Sequence, residues 1–139
     1  MYCTLGGDQS PIFNSSSNNV NTIDEVKPVG DEPIIKKNYP SSFAKTNLHE
    51  LIQATSRKNI ILAGAMTSTC ISSTAREAQS LGYRTTVVAS ACCTRSLPDP
   101  IHSGKVIDAE QVHLGALTAL SDAVAVITPD TSKLIAQSA

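Results

Sequence analysis

Two short apolar runs, Ile60-Ile61-Leu62-Ala63 and Val87-Val88-Ala89, flank a stretch of helical spacing that Gly82 stops. Neither run is long enough to make a helix, and Thr85 and Thr86 add β-branched residues before the second, so both read as strands, 59–63 and 84–89. Between them, a helix from about Cys70 to Leu81 carries Ile71, Ala75, Ala78 and Leu81, and Gly82 supplies its end. A strand, a helix and a strand in that order fold as a parallel pair joined by a right-handed crossover.

The rest of the chain extends this unit. Asp108 caps a further helix with Gln111 at its third position, Val112, Ala116, Leu117 and Leu120 line one side, and Ala123 to Ile127 forms the last strand. Upstream, Ile34-Ile35 makes a short strand, and Thr46 caps a helix whose Leu48, Leu51 and Ile52 share a face. The expected fold class is α/β: a three-layer α/β/α, Rossmann-like arrangement with a mostly parallel sheet and ligands at the carboxyl ends of its strands. Residues 1–30 are poor in apolar periodicity and include the tract Asn14-Ser15-Ser16-Ser17-Asn18-Asn19, so they are expected to be loop or disordered, with the folded domain over 31–139.

Composition narrows the function classes. Eleven basic and twelve acidic residues give a formal charge of −1, with no long run of either sign, which excludes the basic footprint that gathers nucleic acid. The longest apolar stretch, Ile60 to Met66, is far short of the ~20 residues of a membrane helix, and the first residues lack the regions of a signal peptide. A cytoplasmic protein with a small-molecule substrate is expected. Cys3, Cys70, Cys92 and Cys93 show no paired metal-ligand spacing, so no metal, no cofactor and reduced thiols are expected. His49, His102 and His113 read as surface residues.

Cys70 admits two readings. Thr67, Ser68 and Thr69 are cap-forming types, which puts Cys70 in the first turn of its helix, where unpaired N–H groups stabilise a thiolate and can hold an oxyanion. A free cysteine is also one of the most buried residue types, and on position alone filling space beneath a helix is the favoured reading. The spacing from Cys70 to Arg76 further matches the oxyanion loop of cysteine phosphatases and sulfurtransferases. Against that loop stand the absence of glycine between the two residues and the six residues separating Ala63 from Cys70. Gly64 alone makes no phosphate loop for a nucleotide.

Three segments, "EPIIKKNYPSSFAKTNL", "NIILAGAMTSTCISSTAREAQSLGY" and "TTVVASACCT", together resemble the isochorismatase-like cysteine hydrolases, over about residues 31 to 128. Members of that family hydrolyse amides, ureido compounds or a vinyl ether. The resemblance implies Cys70 as nucleophile and Lys37, six positions before Phe43, as its catalytic lysine, with Lys36 as the other register. It also implies a cis peptide bond between Ala65 and Met66, and an oxyanion hole made by the N–H groups of Met66 and Cys70.

The same resemblance calls for an aspartate at the end of a first apolar strand. No such run is found here, Asp8-Gln9 being a superficial echo only, and the domain is therefore expected to be incomplete at its amino end, with an oligomer-dependent fold and impaired hydrolysis. A positioned acid or base is worth roughly 10²–10⁴ in rate. The competing expectation is a non-catalytic relative or fragment acting through protein–protein interaction. Asp24, Glu25, Asp31 and Glu32 are the nearby loop carboxylates that could substitute.

Overall fold

The computed structural model describes residues 2–3, 14, 18, 22 and 24–135. Asp8 and most of the Asn/Ser tract lie outside the described residues. The chain divides into two compact units, Met1–Ser56 and Arg57–Ala139.

In the first unit, strand β1 (Tyr2–Cys3) pairs in parallel with β2 (Lys36–Lys37), Tyr2 opposite Lys36 and Cys3 opposite Lys37. The expectation of unstructured residues over 1–30 thus needs correction at Tyr2–Cys3, and again at a 3₁₀ turn, Asp24–Val26. Two residues carry no measurable period, so nothing in the sequence marks such a strand. The strand expected at Ile34-Ile35 falls on the two lysines that follow. The extended backbone alternates through it: Ile35 is buried, Lys36 exposed and Lys37 buried again.

Helix α1 (Leu48–Ala54) begins after Asn47, not Thr46. Thr46 still organises the turn, donating through Oγ1 to the Ser42 carbonyl at 2.6 Å and accepting the Leu48 N–H at 3.3 Å. Asp24 pairs with Lys27, and Glu32 accepts the Val29 N–H at 3.0 Å. Asp24, Glu25, Asp31 and Glu32 are all exposed.

The second unit holds a parallel sheet. Strand β3 (Asn59–Ala65) leads through a π turn at Thr67–Ile71 into α2 (Ser72–Ser80), which returns the chain to β4 (Arg84–Cys93). A short antiparallel ribbon, β5 (Leu97–Pro98) with β6 (Val106–Ile107), precedes α3 (Ala109–Ala123), β7 (Val126–Thr128) and α4 (Ser132–Ile135). The order is β3-β4-β7, parallel throughout, giving the α/β fold expected.

Register explains which side chains reach the core. Leu62, Val87 and Ile127 lie side by side across the three strands, as do Ile61, Thr86 and Val126 one residue earlier. The first row packs with Ile71, Ala75, Leu117 and Leu120, so α2 and α3 cover that face. Ile61, on the opposite face, is 58% exposed.

Glycine ends α2 as expected. Gly82 adopts φ +82°, with its N–H on the Gln79 carbonyl and the Tyr83 N–H on the Ala78 carbonyl, both at 2.9 Å, which is the paired bonding of a Schellman stop. The last strand starts later than expected because α3 runs through Ala123, and the Leu120 carbonyl then accepts the N–H groups of both Val124 and Ala125 at 3.0 Å.

Asp108 accepts the Gln111 N–H at 2.8 Å through its side chain. Asp108→Ala is expected to cost about 1 kcal/mol of stability, measured as a lower urea midpoint, with Asp108→Ser recovering most of it.

Candidate active site

The ladder between β3 and β4 slips after Leu62 and resumes at Gly64–Cys92 and Ala65–Cys93. Gly64 takes φ +125°, a value that side-chain-bearing residues rarely adopt. The next link, Ala65–Met66, is a cis peptide bond. Met66 then has extended backbone (φ −96°, ψ 142°), and its carbonyl accepts the N–H groups of Thr69 at 3.1 Å and Ile71 at 3.2 Å. The second of these spans five residues, which is what makes the turn a wide π turn, a form that gathers at functional sites.

The helix therefore opens at Thr67, three residues before Cys70, where the sequence placed its start. No side chain caps it. Two of the three hydroxyls that read as caps bond sideways instead. Thr67 Oγ1 lies 2.8 Å from His113 Nδ1 on α3, and Ser68 Oγ lies 2.9 Å from Thr94 Oγ1 just beyond β4. Cys70, the fourth residue of the turn, is 5% exposed, and Ile71 after it enters the core.

The other thiols differ. Cys93 is exposed and free, and burial pushes the Cys92 thiol above its ordinary range, the Gly64 backbone pulling it back and Cys93 adding to the rise. Cys92 is thus poorly suited to ionise. Cys70 lies in the turn that opens a helix.

Lys37 is not a solvated loop charge. It is 5% exposed, and its Nζ donates to the carbonyls of Tyr39 at 2.9 Å and Pro40 at 2.6 Å, while Lys36 is exposed. Of the two lysine registers left open by the sequence, the buried one is Lys37. Around it Ser41, Ser42 and Phe43 are buried, and Ser41 Oγ accepts the Phe43 N–H at 3.2 Å.

A sequence expectation changes here. His113 is half-buried and hydrogen-bonded, unlike His102, which stands on the surface with Asp99 at 2.9 Å. The signal was present, since His113 lies four positions before Leu117 and so shares the helix side that packs on the core. Arg76 is exposed on α2, and the run from Cys70 to Arg76 is helical, so its amides cannot wrap an oxyanion as a phosphatase loop does. Among the described residues, no group of three or more His, Cys, Asp or Glu is placed to hold a metal, and no helix is long and apolar enough to cross a membrane.

Comparison with known proteins bears on the whole chain. A family model described as an isochorismatase domain matches residues 2–129, reaching further toward the amino end than the segments that carry the sequence resemblance. The secreted isochorismatase effector Isc1 of Verticillium dahliae is 32% identical over 113 residues, 81% of this chain and 56% of that protein. The maleamate amidohydrolase of Pseudomonas putida is 33% identical over 93 residues, 67% of this chain and 43% of the enzyme. The crystal structure of an isochorismatase from Pseudomonas putida superposes with a TM-score of 0.78 at 31% identity, covering 85% of this chain and 59% of that one. The chain spans about half the length of these relatives. With the family model covering nearly all of its residues, this chain belongs to the isochorismatase-like hydrolase family.

Proposed function

We propose that this protein is a cysteine hydrolase of small amide-type substrates, with Cys70 as nucleophile and Lys37 as the counterpart of the family's catalytic lysine. The observation that carries the reading is the local geometry at the carboxyl end of β3. There Met66, in extended backbone, leads the chain into a π turn that contains Cys70. Of the N–H groups of that turn, those of Thr69 and Ile71 are taken by the Met66 carbonyl, and the reading assigns those of Met66 and Cys70 to the oxyanion. The amide class is supported by the maleamate amidohydrolase relative.

In this reading the Cys70 sulfur attacks the amide carbonyl carbon, and the N–H groups of Met66 and Cys70 stabilise the oxyanion that forms. The C–N bond then breaks, the thiol proton leaves with the nitrogen as ammonia or an amine, and a thioester remains on Cys70. Water adds to the thioester carbonyl and releases the acid, returning the proton to sulfur. No carboxylate of this chain is assigned to carry the proton between sulfur and nitrogen, so turnover is expected to be slow, as an absent acid/base implies.

Ammonia release from maleamate, nicotinamide and related primary amides tests the reading, together with acid quenching during turnover. The expected result is ammonia release and an acyl group on the tryptic peptide 59–76, whose single cysteine is Cys70. Failure to release ammonia from any of these amides, or turnover that persists once Cys70 has been alkylated, would remove it.

A further inference from the structure

We propose that His113 is a positioning residue for the turn that presents Cys70, acting through the buried hydroxyl of Thr67. The catalytic consequence rests on the reading of Cys70 as nucleophile, but the positioning itself rests on geometry alone.

Thr67 is the first residue after Met66 and is fully buried, at 0% exposure. Its hydroxyl has one hydrogen-bond partner among the described residues, His113 Nδ1 at 2.8 Å. A buried hydroxyl without a partner is costly, and here the partner present is the imidazole nitrogen. Either Thr67 Oγ1 or His113 Nδ1 can be the donor of this bond, according to the imidazole tautomer, and in both cases the buried hydroxyl is satisfied by the ring. The ring is fixed in turn by α3, whose Leu117 and Leu120 lie in the core beside Ile71, the residue that follows Cys70.

The next residue, Ser68, bonds Thr94 at 2.9 Å. Adjacent hydroxyls therefore tie the turn to two different elements, α3 on one side and the segment after β4 on the other. Lateral bonds of this kind hold the backbone between Met66 and Cys70 to one path, which any oxyanion site built from those two N–H groups requires. Both threonine and histidine are needed for the first tie, because a core-filling role alone would call for apolar side chains.

The test is a double-mutant cycle on the full chain: Thr67→Val, His113→Ala, the two together, and His113→Asn, whose amide can occupy the place of Nδ1. Amide hydrogen exchange over 66–71 is the first readout. Each single variant is expected to speed it about tenfold, the double variant no more than either single one, and His113→Asn to return it close to the original rate. Single effects that multiply to about a hundredfold, no change in either single variant, or a His113→Asn that behaves as His113→Ala would overturn the proposal. Turnover of an amide substrate is the second readout, expected to show a lower kcat at unchanged KM, again restored by His113→Asn. A protein that turns over no amide removes the functional reading, and the exchange cycle then still decides whether His113 positions the turn. Should Thr67→Val fail to fold, Thr67→Ser, which keeps the hydroxyl, is expected to exchange at close to the original rate, and a Thr67→Ser as fast as His113→Ala would overturn the proposal equally.

Discussion

Cys70→Ala is expected to lower amide turnover by a factor on the order of 10⁴ to 10⁶, the range found when a covalent nucleophile is removed from a hydrolase. The loss is this large because every later step acts on a bond to sulfur; without the thiol, water must attack an amide directly. Substrate affinity should change little, since the side chain is small. The variant should also remain folded: Cys70 is buried, but alanine removes a single sulfur next to a polar turn, and circular dichroism and thermal melting would verify this. Cys93→Ser is the natural companion. Its side chain is exposed at the end of β4, and it should leave turnover intact. Should Cys70→Ala retain turnover within tenfold of the original, nucleophilic catalysis by this residue is lost as an explanation.

The largest stability effect is expected at Leu120. This side chain is 0% exposed and packs among Ile71, Ala75, Val87 and Leu117, where α2 and α3 meet the sheet. Leu120→Ala removes buried methyl groups and leaves a cavity that the surrounding helix and strand can close only in part, at a cost of about 2–5 kcal/mol. A domain of this size is typically stable by only 5–15 kcal/mol in total, so the urea midpoint should fall by a large fraction. The Leu120 carbonyl also receives the N–H groups of Val124 and Ala125, so disorder at this position spreads to the start of β7. Leu114→Ala, on the exposed side of the same helix at 64% exposure, should shift the midpoint within about 0.5 kcal/mol of zero. Equal effects at the two positions would contradict the packing described.

Particular residues show where sequence reasoning holds and where it stops. The parallel pair β3–β4 was legible because Ile60 to Ala63 and Thr85 to Val88 are short, apolar and β-branched, and because Gly82 ends the helix between them by a backbone conformation that glycine adopts at little cost. The Asp108 cap was legible for a similar reason, since donor and acceptor lie three residues apart and need no distant partner. β1 was not legible, because two residues acquire a strand only through the ladder that Lys36 and Lys37 offer them. Thr67, Ser68 and Thr69 illustrate the opposite error. Their local chemistry suits an N-cap, yet partners on α3 and beyond β4 compete for two of these hydroxyls and win.

The order of residues alone thus determined the class of fold, the strand–helix–strand unit and the cysteine at its turn, all of which depend on spacing over a few residues. Only the tertiary structure decided that Lys37 and not Lys36 turns inward, that the helix opens at Thr67, and that His113 leaves the surface to hold a buried hydroxyl. The physical reason is the same in each case. Burial and side-chain hydrogen bonding are settled between residues as far apart as Thr67 and His113, and a local pattern carries no record of which distant group will compete for them.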